Sequence, residues 1–85
     1  MKSSTTPSFR RRLRELPPPI RRLARKNFKL WLRDPHHPSL RFKKVGIFWS
    51  ARVGIDFRAL AIIKGDEAEW FWIGPHDDYD QLLRS

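Results

Sequence analysis

With 85 residues the chain has room for one domain and one small core, and its 18 Lys and Arg against 9 Asp and Glu leave a net charge of +9. No cysteine is present, which excludes disulfides and thiolate metal sites and suits a reducing cytosol. No apolar run approaches the roughly 20 residues of a membrane span, so a cytoplasmic protein without a membrane partner is expected.

The chain reads as a single domain over residues 1–85. Residues 1–8 are polar and fit either a short edge strand or a disordered lead. Phe9, Leu13 and Leu16 then fall on one face of a short helix whose other side carries Arg10, Arg11, Arg12 and Arg14. Pro17, Pro18 and Pro19 end it, because proline removes the amide donor and clashes with the preceding turn. The last proline suits the first turn of a second helix, with Ile20, Leu23, Ala24, Phe28 and Trp31 as its buried stripe and Asn27 and Leu30 beside it. Arg21, Arg22, Arg25, Lys26, Lys29 and Arg33 cover the outer side of this helix.

After Pro38 the apolar period changes from helical to alternating, which predicts strands over 40–45, 48–53, 57–64 and 68–73. Glycine-led turns at Gly46, Gly54 and Gly65 separate them. Trp70 to Ile73 is apolar on both faces, so that strand should be central or covered on both sides. Residues 75–83 have the length of one terminal helix, with Asp77 and Asp78 favourably placed in its first turn. The expected architecture is α+β: an N-terminal helical hairpin packed on one face of a three- or four-stranded antiparallel sheet, with a short C-terminal helix.

Charge divides the chain. Residues 1–44 carry 14 basic and 2 acidic side chains, a net of +12, whereas residues 45–85 carry 4 and 7, a net of −3. Such asymmetry attracts polyanions: nucleic acid, an acidic protein, or both. His36, His37 and His76 do not make a metal site, because adjacent histidines rarely share one ion and no carboxylate supports them, so no metal or cofactor is expected. Trp31, Trp49, Trp70 and Trp72 read as core rather than as a stacking platform for bases.

The segments HPSLRFKKV (residues 37–45), WSARV (49–53), FRAL (57–60) and WFWIGPHDDYDQLL (70–83) together resemble the RelE/ParE superfamily of toxin–antitoxin toxins, in particular its RelE-like, message-cutting branch. The resemblance extends from about Phe9 to Leu83 and rests on the ordered set rather than on any one piece. It implies a metal-free ribonuclease that enters the ribosome and cleaves messenger RNA by attack of the 2′-hydroxyl on the adjacent phosphate, leaving a cyclic phosphate. It also implies an acidic antitoxin partner, with the toxin alone a monomer and the pair a hetero-oligomer. Two alternatives are a ParE-like, non-catalytic inhibitor of DNA gyrase and a member that binds RNA and antitoxin without turnover.

Through the resemblance, Arg58 matches the arginine before the aliphatic run and Arg52 a basic position one strand earlier. A three-residue turn over 54–56 would pair them on one sheet face, where two like charges call for an anion; a two-residue turn would separate them. His76 is the expected acid or base and Tyr79 a stacking or proton-sharing group. Lys43, Lys44 and, less favourably, Arg41 are expected on the RNA backbone, with alternation allowing only one of the two lysines to face the site. Arg21, Arg22 and Arg25 are expected RNA-binding residues of the basic helix face. Some relatives use a glutamate base near the second strand, but residues 35–55 contain no Asp or Glu. The base is therefore His76, a lysine of depressed pKa, or Tyr79.

Overall fold

The computed structural model describes residues 1–84 as β1 (Lys2–Thr5), α1 (Pro7–Glu15), α2 (Pro18–Arg33), a 3₁₀ turn (Pro38–Leu40), β2 (Lys43–Val45), β3 (Phe48–Val53), β4 (Phe57–Lys64), β5 (Glu67–Pro75) and α3 (His76–Arg84). The expected α+β class holds, but the sheet has five strands in the order β1-β5-β4-β3-β2. The additional strand is β1, which runs parallel to β5 and turns an otherwise antiparallel sheet into a mixed one. Of the two readings open for residues 1–8, the short edge strand holds: Lys2–Thr5 pair along the β5 edge, with Lys2 opposite Glu67.

Local chemistry sets the helix ends. The Thr6 hydroxyl accepts the Phe9 amide at 3.1 Å, and Pro7 occupies the first helical position of α1. Such a cap stabilises a helix by roughly 1 kcal/mol. The prolines terminate α1 after Glu15 and start α2. Arg21 closes the hairpin: its Nη1 donates to the Arg14 carbonyl at 2.9 Å and the Leu16 carbonyl at 3.1 Å, occupying acceptors that the end of α1 leaves free.

The two helices cover one sheet face. Trp31, the one buried residue of α2, meets Trp70 edge-on at 5.3 Å and Phe42 at 5.7 Å, and Phe42 stacks on Trp49 at 4.9 Å. Ala51, Ala59, Ala61 and Ala68 are buried on the same side, so small strand residues make room for the large rings. The expected stripe of α2 is corrected at one position: Phe28 stays 40% exposed. It lies at the outer edge of the helix contact and stacks on Trp31 from outside. The expected strand over 40–45 shortens to Lys43–Val45, because Arg41 adopts a left-handed conformation (φ 44°) at the end of the 3₁₀ turn.

A bulge shapes the other face. The β4–β5 register passes from Leu60↔Trp72 to Ala61↔Trp70, leaving Phe71 without an opposite residue. Phe71 and Trp72 therefore both pack with Leu60 and Tyr79, while Trp70 and Ile73 stay with the helix-side core. Strand β5 is covered on both sides, as its unbroken apolar run requires. Trp72 lies over Gly74, where an added Cβ would come within 2.8 Å of the indole. No helix among the described residues is long and apolar enough to cross a membrane.

Candidate functional site

Gly54, with φ 66°, makes the β3–β4 connection a three-residue turn, and Arg52 stands directly opposite Arg58. Of the two turn lengths open to the sequence, this is the one that puts both guanidiniums on one face. Alternation then adds Ser50 from β3, and Lys43 joins through its pairing with Ser50. Arg41 approaches from the left-handed turn residue before β2, and His76 and Tyr79 enter from α3. These seven side chains line one cavity of about 140 Å³ on the face away from α1 and α2.

Six of the seven are residues that the sequence reading singles out: Arg41, Lys43, Arg52, Arg58, His76 and Tyr79. Ser50 is new, a buried polar residue at 3% exposure on the cavity wall. A lone serine in a strand carries no signal in sequence; only the register against Lys43 and Leu60 places it. Lys44 pairs with Trp49 and so belongs to the opposite face, which decides between the two lysines. Arg21, Arg22 and Arg25 also stand apart from the cavity, on α2. Arg21 is engaged with the α1 carbonyls, whereas Arg22 and Arg25 are exposed.

The two arginines are held by backbone, not by acids. Arg52 Nε donates to the Gly54 carbonyl at 3.1 Å, and Arg58 Nη1 donates to Phe57 at 2.7 Å, Ile55 at 3.1 Å and Gly54 at 3.4 Å. Among the described residues no carboxylate lies within ion-pair distance of either one. Burial, then the neighbouring Arg52 guanidinium, and further Arg41, push the pKa of Arg58 below the ordinary arginine value, while Tyr79 and Asp80 oppose the shift. Arg58 keeps its charge at neutral pH but bears it at a cost, and an anion in the cavity would relieve that cost. Among the described residues no hydrogen bond engages Arg58 Nε and Nη2 or Arg52 Nη1 and Nη2, donors suited to the two-pronged contacts that phosphate oxygens accept.

His76 is fixed at two points. Its amide donates to the Asp56 carbonyl at 2.7 Å, and its Nδ1 lies 3.1 Å from Asp80 Oδ2. Its ring centroid is 5.8 Å from that of Tyr79, which in turn sits 6.5 Å from Trp72. Tyr79 is thus both a buried aromatic under α3 and part of the cavity wall. His76, Asp77 and Asp80 bring three ligand atoms within 4.8 Å of one another. The basic side chains facing the same space favour anions over a cation there, and Nδ1 is already engaged by Asp80. His37 acts locally, with Nδ1 accepting the Ser39 amide at 3.2 Å.

A second cavity, about 170 Å³ and apolar, lies between α1, α2 and the sheet, with Phe9, Leu13, Phe28, Trp31 and Val53 among its walls and Arg25 beside it.

No family model matches the sequence, and a comparison with curated proteins finds no match. Solved structures do match. A YoeB/ParE toxin from Agrobacterium tumefaciens superposes with a TM-score of 0.70 at 15% identity, covering 89% of this chain and 99% of that one. A chain of the RelB–RelE antitoxin–toxin complex from Methanococcus jannaschii gives 0.74 at 16% identity, covering 93% and 96%. A chain of the RelBE2 toxin–antitoxin complex from Mycobacterium tuberculosis gives 0.68 at 22% identity, covering 88% and 96%. The fold is that of the RelE/ParE toxins.

Proposed function

We propose that this chain is the toxin of a toxin–antitoxin pair and that it cleaves messenger RNA on the ribosome without a metal. The observation that carries this reading is the cavity in which Arg41, Lys43, Arg52 and Arg58 surround His76 and Tyr79 with no acidic side chain on the wall. Arg52 and Arg58 bind the non-bridging oxygens of the scissile phosphate, where charge builds up as the pentacoordinate phosphorane forms. A base takes the proton of the 2′-hydroxyl, the 2′-oxygen attacks phosphorus, and the bond to the 5′-oxygen breaks as that oxygen gains a proton. His76 is the titratable group placed for such transfer, and Tyr79 stacks on a base or shares the proton work. Arg41 and Lys43 hold flanking phosphates, and Arg22 and Arg25 add a sequence-independent attraction to ribosomal RNA. The carboxylate-free segment 35–55 leaves His76, Tyr79 and Lys43 as the groups able to act as base.

The partner is a small acidic antitoxin. The similar structures from Methanococcus jannaschii and Mycobacterium tuberculosis are complexes of a toxin with its antitoxin. This chain offers a matching surface: a cationic α2 next to an apolar cavity with exposed Phe28 at its edge. The toxin alone is a cytoplasmic monomer in this reading and a hetero-oligomer with its antitoxin.

Single-turnover cleavage on saturated ribosomes tests the assignment. Arg58→Ala should bind ribosomes nearly as well as wild type and cut on the order of 10²-fold more slowly or worse. His76→Ala should lose roughly 10²- to 10⁴-fold. The double variant should lose less than the product, since both groups serve one transition state. Full-speed cleavage by both folded variants would sink the catalytic reading, and growth arrest without any cut message would put a non-catalytic inhibitor in its place.

A further inference from the structure

Asp77 and Asp78 occupy the first turn of α3, where negative charge suits the helix dipole. Asp80 lies beyond that turn, one helical repeat after His76, and its carboxylate instead meets the imidazole at 3.1 Å through Nδ1. A carboxylate only accepts hydrogen bonds, so this contact places the hydrogen of a neutral His76 on Nδ1 and leaves the lone pair on Nε2. The amide anchor to Asp56 holds the root of the same side chain, and the ring lines the cavity beside Tyr79.

We infer that Asp80 is a positioning residue that holds His76 with its hydrogen on Nδ1, so that Nε2 is the atom that exchanges protons with RNA. The chemical part of this inference rests on the RNA-cleavage reading above; the tautomer does not. In the attack step Nε2 takes the 2′-hydroxyl proton, or, when the ring carries both protons, Nε2 gives one to the departing 5′-oxygen. Asp80 stabilises the doubly protonated ring in either case. The other charged and titratable groups facing the same cavity are Arg41, Lys43, Arg52 and Arg58, with Tyr79 on its wall and Asp77 beside His76 on α3.

An exposed i,i+4 pair contributes little to stability, so Asp80→Ala should keep the fold. The test combines nitrogen-15 NMR of the His76 ring in the free protein with single-turnover cleavage on ribosomes. Wild type should show the Nδ1–H tautomer, and Asp80→Ala should shift His76 toward the other one. Cleavage should fall on the order of tenfold to a hundredfold in that variant with ribosome affinity unchanged, as losses of imidazole-orienting partners do. Asp80→Glu should recover part of the rate. In a His76→Ala background the same Asp80→Ala change should cost nothing further. An unchanged tautomer, or equal cost in both backgrounds, overturns the positioning role while leaving RNA cleavage standing. If wild type cuts no RNA, the cleavage reading falls together with the catalytic part of this inference, and the NMR measurement alone decides whether Asp80 sets the tautomer.

Discussion

The two faces of the sheet are built from the same strands by opposite rules. On the helix-covered face, alanines alternate with Trp49, Trp70 and Val53, and Trp31 plugs the space between them. On the other face α3 packs over Leu60 and Trp72, and beside them Ser50, Arg52 and Arg58 line a cavity with His76 and Tyr79. The first face gains from every ring removed from water. The second holds guanidiniums side by side with turn carbonyls as their partners. Stability should therefore depend on residues of one face and activity on residues of the other.

Removing the plug is the strongest test of that division. Trp31→Ala should lower unfolding free energy by about 3–5 kcal/mol in urea titrations, since a fully buried ring leaves a cavity that its neighbours cannot fill. A loss below about 1 kcal/mol would mean that the α2 contact is far looser than its aromatic geometry indicates. Gly54 links the faces, because its φ of 66° orients the turn that holds both arginines while Leu23 of α2 presses against it. An added Cβ would stand 2.7 Å from Leu23 Cδ2, so Gly54→Ala should cost about 2 kcal/mol and also slow cleavage. Unfolding and activity measured on that one variant show whether the faces are coupled there.

The smallest effect concerns the charge on the open face. A cation whose folded pKa is lowered weakens the native state at every pH below that pKa, and the cost disappears only as pH rises through it. Arg58 stays charged across neutral pH, so there the cost persists and an anion relieves it. Inorganic phosphate should raise Tm relative to chloride at equal ionic strength. At ten times its Kd the gain is roughly 1.4 kcal/mol, a shift of several degrees for a domain this size. Arg52→Ala should lose most of that shift; an undiminished shift would place the phosphate elsewhere.

Proline breaks and helical spacing made α1 and α2 legible in the sequence, and glycine turns separated the strands. That Arg52 and Arg58 share a face was one of two outcomes of a turn length the sequence left open, and the left-handed Gly54 decides it. The bulge at Phe71 was hidden because Trp70 to Ile73 is apolar throughout and shows no break in alternation. The one sequence signal for Asp80 is its i,i+4 spacing from His76, which has meaning only once the helix is known to start at His76. Arg21 looked like its neighbours on α2, and only three-dimensional proximity to the Arg14 and Leu16 carbonyls separates it from them. For β1, the sequence left a short edge strand and a disordered lead both open, and pairing with β5 decides for the strand.

That parallel strand bears on how the molecule comes into being. Lys2 must find Glu67, and the cavity draws its walls from Arg41 to Tyr79, so neither the sheet edge nor the site can close while much of the chain is still being made. Pairings between residues so distant along the chain form late and slowly, because a long loop must close before any contact offsets the lost freedom. Helices α1 and α2 pack on β5 and β3, so they too gain their main partners only once those strands have been made. The fold and its cavity therefore close together, late, when β5 and α3 are in place.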